Sequence, residues 1–205
     1  MNTNYAVLLL FSIPGALLAT TAHEFIRAAV SSHFGDTLPK NNGRLTLNPI
    51  RHFEPIGFLL LLATGGFGWG KPVETSALYY KNRKRDALLT AILPTVGNLV
   101  IALIALMLYK ICVNMNMPFL LLFLFSTARY NVALAVFNLL PVVPMDCVKV
   151  LSVVMPANQY FQYMQYEKVI QIGFFILLIM GFFGNFFQYL IQLILQCLEM
   201  LLFFL

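Results

Sequence analysis

Charge is what this 205-residue chain has least of: 10% of its residues are charged and 60% are hydrophobic. Soluble domains carry about 25% charge. The shortage excludes an ordinary soluble domain and a disordered chain. Cysteine is scarce too. Cys112, Cys147 and Cys197 are odd in number and far apart, which excludes a disulfide scaffold and a Cys-x-x-Cys metal pair. The first five residues, Met-Asn-Thr-Asn-Tyr, contain no Lys or Arg, so the basic start of a secretory signal is missing. There is no internal repeat and no low-complexity tract.

What is present is a series of long apolar runs. Crossing a bilayer takes about 20 residues of helix. Residues 87–109 and 118–140 meet that length, as does the segment 5–30, with Pro14 as a kink point. Residues 169–198 are again uncharged, and Gly181, Gly184 and Asn185 divide them into two segments. The apolar stretch 56–69 is shorter and broken by glycines, which fits a re-entrant or interfacial segment. Within the polar stretch 31–55, Arg44-Leu45-Thr46-Leu47 alternates like a short strand. The expectation is an all-α polytopic membrane protein, one membrane-embedded domain over 1–205. Its core covers about 5–155 and a C-terminal helical region about 156–205.

The formal net charge is +5, and Lys71, Lys81, Arg83, Lys84 and Arg85 crowd one short loop against Glu74 and Asp86. Between two apolar runs, such a cluster reads as positive-inside topology rather than as a nucleic-acid site. With the 71–86 loop cytoplasmic, the 87–109 helix exits, the 118–140 helix returns, and Asp146 emerges on the cytoplasmic side. His23 and Glu24, late in the first helix, reach similar depth if the 31–55 loop is also inside.

Ionisable groups at membrane depth are costly and mark function. Zincins place His-Glu-x-x-His on a helix, with both histidines on one face for zinc and the Glu as general base. This chain reads His23-Glu24-Phe25-Ile26-Arg27. Arg129 lies in mid-span, with Asp146, Glu24 or an interface as its possible partners. Near the C-terminus, Asn185, Gln188, Gln192, Gln196 and Glu199 share one helical face. That face fits either a membrane-surface helix or contact with a partner helix.

The stretch from His23 to Asp36, reading His-Glu-Phe-Ile-Arg-Ala-Ala-Val-Ser-Ser-His-Phe-Gly-Asp, resembles the first motif of the site-2 protease family of intramembrane zinc metalloproteases. Gly43-Arg44-Leu45-Thr46-Leu47-Asn48-Pro49, Pro55-Ile56-Gly57 and Gly68-Trp69-Gly70-Lys71-Pro72-Val73 resemble the following segments of its short bacterial members. Phe137-Asn138-Leu139-Leu140-Pro141-Val142-Val143-Pro144-Met145-Asp146 is similar to the family's Asn-Leu-x-Pro-x-x-Pro-Leu-Asp-Gly segment.

The resemblance implies a multi-pass protein of the bacterial cytoplasmic membrane, with a bound Zn2+ and transmembrane proteins as substrates or clients. His23 and Asp146 match zinc ligands, Glu24 the catalytic base, and Asn98 an asparagine that holds the substrate backbone or the oxyanion. Three positions depart from the pattern. Arg27 stands in place of the second zinc histidine, Cys147 follows the aspartate in place of glycine, and Ile92-Leu93-Pro94 replaces Ala-Gly-Pro. A guanidinium does not ligate a metal, so His23 and Asp146 alone fall short of the usual three protein ligands. Cys147, His33 or His52 are the conceivable replacements. The reading is a catalytically impaired homologue, a pseudoprotease that binds transmembrane segments. The alternative is an active zinc-dependent protease that cleaves transmembrane helices near the cytoplasmic face. The same residues place the Arg27 guanidinium in the metal's position, holding Asp146.

Overall fold

The computed structural model describes residues 5–202, and among them every regular element is a helix. In chain order these are α1 (Tyr5–His33), α2 (Leu38–Asn41), α3 (Pro49–His52), α4 (Pro55–Thr64), α5 (Arg83–Cys112), α6 (Pro118–Phe137), α7 (Asp146–Val154), α8 (Ala157–Gln165), α9 (Glu167–Ile179) and α10 (Gly184–Leu201). Helix is the dictated solution for apolar segments in lipid, because it satisfies backbone N–H and C=O groups within one segment. The chain is an all-α membrane protein. Arg83–Met115 and Pro118–Phe137 are each long and apolar enough to cross a membrane. α9 and α10 reach that standard only together and are bent by 86° at the break between them.

The core is a bundle of α1, α5 and α6, each packed along the other two. Small residues bring the backbones close, as membrane helix packing requires. A side chain at Gly15 would meet the Thr127 backbone nitrogen at 2.8 Å, so α1 and α6 touch there without one. Gly97 does the same for α5, lying directly beneath Ile26 of α1. α5 begins earlier than its charge-free run, because Asn82 caps it by accepting from the Arg85 N–H. α6 ends at Phe137, where the Asn138 amide donates to Leu134 O at 2.9 Å and Pro141 follows.

α4 is too short to span and ends at Gly65 in the left-handed region (φ 66°). It leads into the segment 65–73, where Gly57 and Gly68 interlock backbone against backbone with Trp69 alongside. Trp69 stacks on Phe137 of α6 and meets Phe175 of α9, so an aromatic layer ties α9 to the bundle.

Residues 44–47 do not form the expected strand. Arg44 turns inward and donates to the carbonyls of Pro72 and Lys71 (3.3 and 2.5 Å), and among the described residues the segment has no neighbouring strand to pair with. His52 is fully buried beside it. Its Nε2–H donates to Thr46 O at 2.7 Å, and Nδ1 faces Arg44 Nη2 at 3.4 Å. Burial, and after it the Arg44 charge, lower its pKa, outweighing the Thr46 carbonyl and Glu24, which favour the charged ring. Below the ordinary value of about 6.5, the unfolded chain binds a proton that the folded one refuses. Stability is therefore complete above that value and falls as pH drops through it. Melting temperature is expected to decline from about pH 7.5 to about pH 5.5, with the decline flattened in His52→Gln.

Arg129 is paired neither with Asp146 nor with Glu24. Its guanidinium donates to Gln188 Oε1 at 2.6 Å and to Gly65 O at 3.3 Å. It sits eight residues before the end of α6, more than two turns from the helix end that leads to Asp146. Gln188 completes the contact by donating to Thr64 O at 3.0 Å. That removes Gln188 from the polar face expected on α10.

Candidate active site

α1 supplies three residues in one turn. His23 and Arg27 are four apart, Glu24 and Arg27 three apart, so their side chains lie on one face. α5 brings Asn98 to that face, and the turn after α6 brings Asp146. Asn138 builds this turn, since its side-chain oxygen accepts from the Asp146 N–H (3.3 Å) and its carbonyl from the Cys147 N–H (3.0 Å). His23, Glu24, Arg27, Asn98 and Asp146 are all at most 3% exposed. The structure thus brings together all four residues singled out as catalytic or metal-binding, with Arg27 at their centre.

The hydrogen bonds define what Arg27 does. Nη1 donates to both Glu24 oxygens at 3.0 and 2.9 Å. Nη2 donates to Asp146 Oδ1 and to His23 Nε2, the latter at 2.9 Å. His23 Nδ1–H donates to Asn98 Oδ1 at 3.0 Å. That bond selects the tautomer in which Nε2 offers a lone pair. Asp146 Oδ2 lies 3.0 Å from the same nitrogen, as two ligands of a common cation do. Such fork-shaped pairing is the special capacity of a guanidinium. Burial alone would raise the Asp146 carboxyl; the Arg27 guanidinium outweighs it and holds the group well below the usual carboxylate range.

Two contributors were not legible in the sequence. The Val73 N–H donates to Glu24 Oε2 at 2.8 Å, so the 69–73 segment fixes the carboxylate from outside α1. Gly70 permits this approach, because a side chain there would meet His52 O at 3.1 Å and Glu24 Cγ at 3.3 Å. Lys149, one turn after Asp146, places Nζ 3.7 Å from Oδ1. Burial and the neighbouring Arg27 charge lower its pKa to about 8, against the pull of Asp146. A residue spacing carries no trace of either contact. A third buried group, Asp36, accepts from Ser31 Oγ and the Ser76 N–H (2.8 Å each) and holds the end of α1 to the loop before α5.

The Bacillus subtilis (strain 168) protein named "Putative zinc metalloprotease YwhC" is 32% identical to this chain over 173 residues, covering 80% of the chain and 76% of that protein. The chain belongs to the site-2 protease-like family. No protein-family model and no solved structure matches it.

That relative is named for zinc, and the residues of this chain do not fit the metal. Among the described residues no group of three or more His, Cys, Asp and Glu side chains is placed to hold a metal ion. The lone pairs of His23 Nε2 and Asp146 that would face a dication already face the Arg27 guanidinium. The conceivable replacements do not repair the set. His52 is engaged with Thr46 and Arg44. His33 ends α1, packed edge-on against Phe34. Cys147 shares a cavity of about 270 Å³ with Asp146, but burial, and then Asp146, push its thiol pKa up, away from the thiolate that binds metal.

Proposed function

We propose that this member of the family is a pseudoprotease, a membrane protein that binds transmembrane segments without cleaving them. One observation carries the reading: Arg27 fills the space among His23, Glu24 and Asp146 and spends their lone pairs. Glu24, the base of a working protease, then faces a fixed cation in place of a metal-bound water. The client surface retains its parts. Asn98 holds a buried amide nitrogen with no hydrogen-bond partner. A cavity of about 340 Å³ opens between Val73–Thr75 on one wall and Val143–Lys149 on the other. The exposed basic residues at 81–85 support a cytoplasmic position for this end of the bundle by the positive-inside rule. The chain is then a multi-pass protein of the cytoplasmic membrane, and clients meet it near the cytoplasmic face.

The second reading, an active protease, draws on the retention of His23, Glu24, Asn98 and Asp146. One experiment separates the two. The purified protein is incubated with a panel of transmembrane-helix substrates, with added zinc and with chelator. No cleavage above that of Glu24→Gln is the expected result. Turnover abolished both by Glu24→Gln and by chelation overturns the pseudoprotease reading.

A further inference from the structure

α10 carries a row of polar side chains that its own chain does not use. Asn185, Tyr189, Gln192, Gln196 and Glu199 are all exposed, and no side-chain hydrogen bond joins them to another described residue. Gln188, their neighbour in sequence, is by contrast fully engaged with Arg129 and Thr64. The five positions are spaced four, three, four and three. That alternation averages 3.5 residues and is the seam of a helix pair. A second row, Phe186, Leu193 and Met200, repeats every seven residues along one flank of the seam and is also exposed (58%, 40% and 68%). The opposite face, Phe187, Ile191 and Leu195, is buried in the bundle.

The position of α10 makes this seam expensive if left open. Gln188 contacts Arg129 near the middle of α6, and the Leu202 carbonyl accepts from Lys110 Nζ at the far end of α5. α10 therefore runs lengthwise beside the two helices suited to span the membrane. Amide groups facing hydrocarbon lack hydrogen-bonding partners, and polar side chains on such helices act as glue between them.

We infer that this seam is the interface of a homodimer, with α10 of one copy packed in parallel against α10 of a second. Two copies inserted in the same sense and related by a two-fold axis along the membrane normal bring like positions together. Glutamine and asparagine side chains both donate and accept, so Gln192 meets Gln192 and Gln196 meets Gln196 with donors and acceptors matched. The amides of the seam are complementary to themselves, and its one carboxylate, Glu199, lies in the last turn of α10, where water and salt screen it from its copy. The phenylalanine, leucine and methionine row closes over the flank. This inference is independent of whether the Arg27 site cleaves.

The test uses the full chain in phosphatidylcholine vesicles, with Cys112→Ser/Cys147→Ser/Cys197→Ser as background. A single cysteine is introduced by Gln192→Cys, Gln196→Cys or, as a control on the exposed face of α5, Val100→Cys. Mild copper-phenanthroline oxidation is followed by non-reducing electrophoresis. Dimer bands at least tenfold stronger at 192 and 196 than at 100 are expected. A companion measurement, fluorescence energy transfer between labelled copies diluted with lipid, needs no cysteine in the seam. Gln192→Leu/Gln196→Leu should there require at least tenfold less lipid to dissociate. Equal cross-linking at all three positions, none at any, or energy transfer unchanged by the double substitution overturns the inference. So does cross-linking of position 192 in native membranes to a different protein without a self-dimer, which would make the seam a client face.

Discussion

Arg27→His is expected to turn a protein that purifies without zinc into one that carries about one zinc per chain. The substitution sets histidines at positions 23 and 27, one turn apart on the face already occupied by His23 Nε2. Asp146 lies within hydrogen-bond distance of that nitrogen, so two imidazoles and a carboxylate converge and leave a fourth position open, the ligand set of a catalytic site. Asn98 already fixes the His23 tautomer that a metal needs. Elemental analysis of both proteins after identical purification decides the matter. Stoichiometric zinc in the wild type refutes the role given to Arg27, and a metal-free Arg27→His refutes the claim that the rest of the site is preformed.

Arg27→Leu is expected to be among the most damaging single substitutions in the chain. It leaves Glu24 and Asp146, at most 3% exposed, with no guanidinium between them. Removing one partner of a buried ion pair costs about 3–5 kcal/mol. The pair itself contributes little over an apolar filling, because both charges must be desolvated. Arg27→Leu/Asp146→Leu should therefore unfold at a higher temperature than Arg27→Leu alone. Glu24 also loses its bidentate partner, so adding Glu24→Gln should recover more. Thermal unfolding of the three variants in one detergent tests the order. A double variant no more stable than Arg27→Leu would mean that Arg27 acts through packing rather than through charge.

Helix content and the three-helix core were readable because lipid leaves apolar segments few alternatives. Boundaries were not. Charge-free counting starts α5 at position 87, whereas the helix begins at Arg83 because Asn82 caps it, and water-facing arginine and lysine belong to its first turn. The site was readable where it is local: His23, Glu24 and Arg27 are joined by helical spacing alone. Asp146 and Asn98 came by resemblance and by counting crossings. The Val73 N–H on Glu24 and the lysine at 149 were invisible, since a backbone donor has no sequence signature and a lysine beside an aspartate looks like any helix end. The partner of Arg129 stayed open among Asp146, Glu24 and an interface, because spacing does not reveal which distant group a mid-span charge meets. Its partner is an amide, Gln188, hidden in a stripe whose other members point elsewhere.

The lysine at 110 and the carbonyl of Leu202 meet at one pole of the molecule, and the Asn82 cap of α5 marks the other. A helix of 30 residues separates them, about 45 Å at the usual rise, close to the full thickness of a membrane with its headgroups. Epitopes inserted at residues 81–85 and at the Leu202 end of α10 would therefore be accessible from opposite compartments. That opposition holds whichever way the protein is threaded. Protease protection of the two epitopes in sealed vesicles then reads the direction of insertion from a single pair of signals.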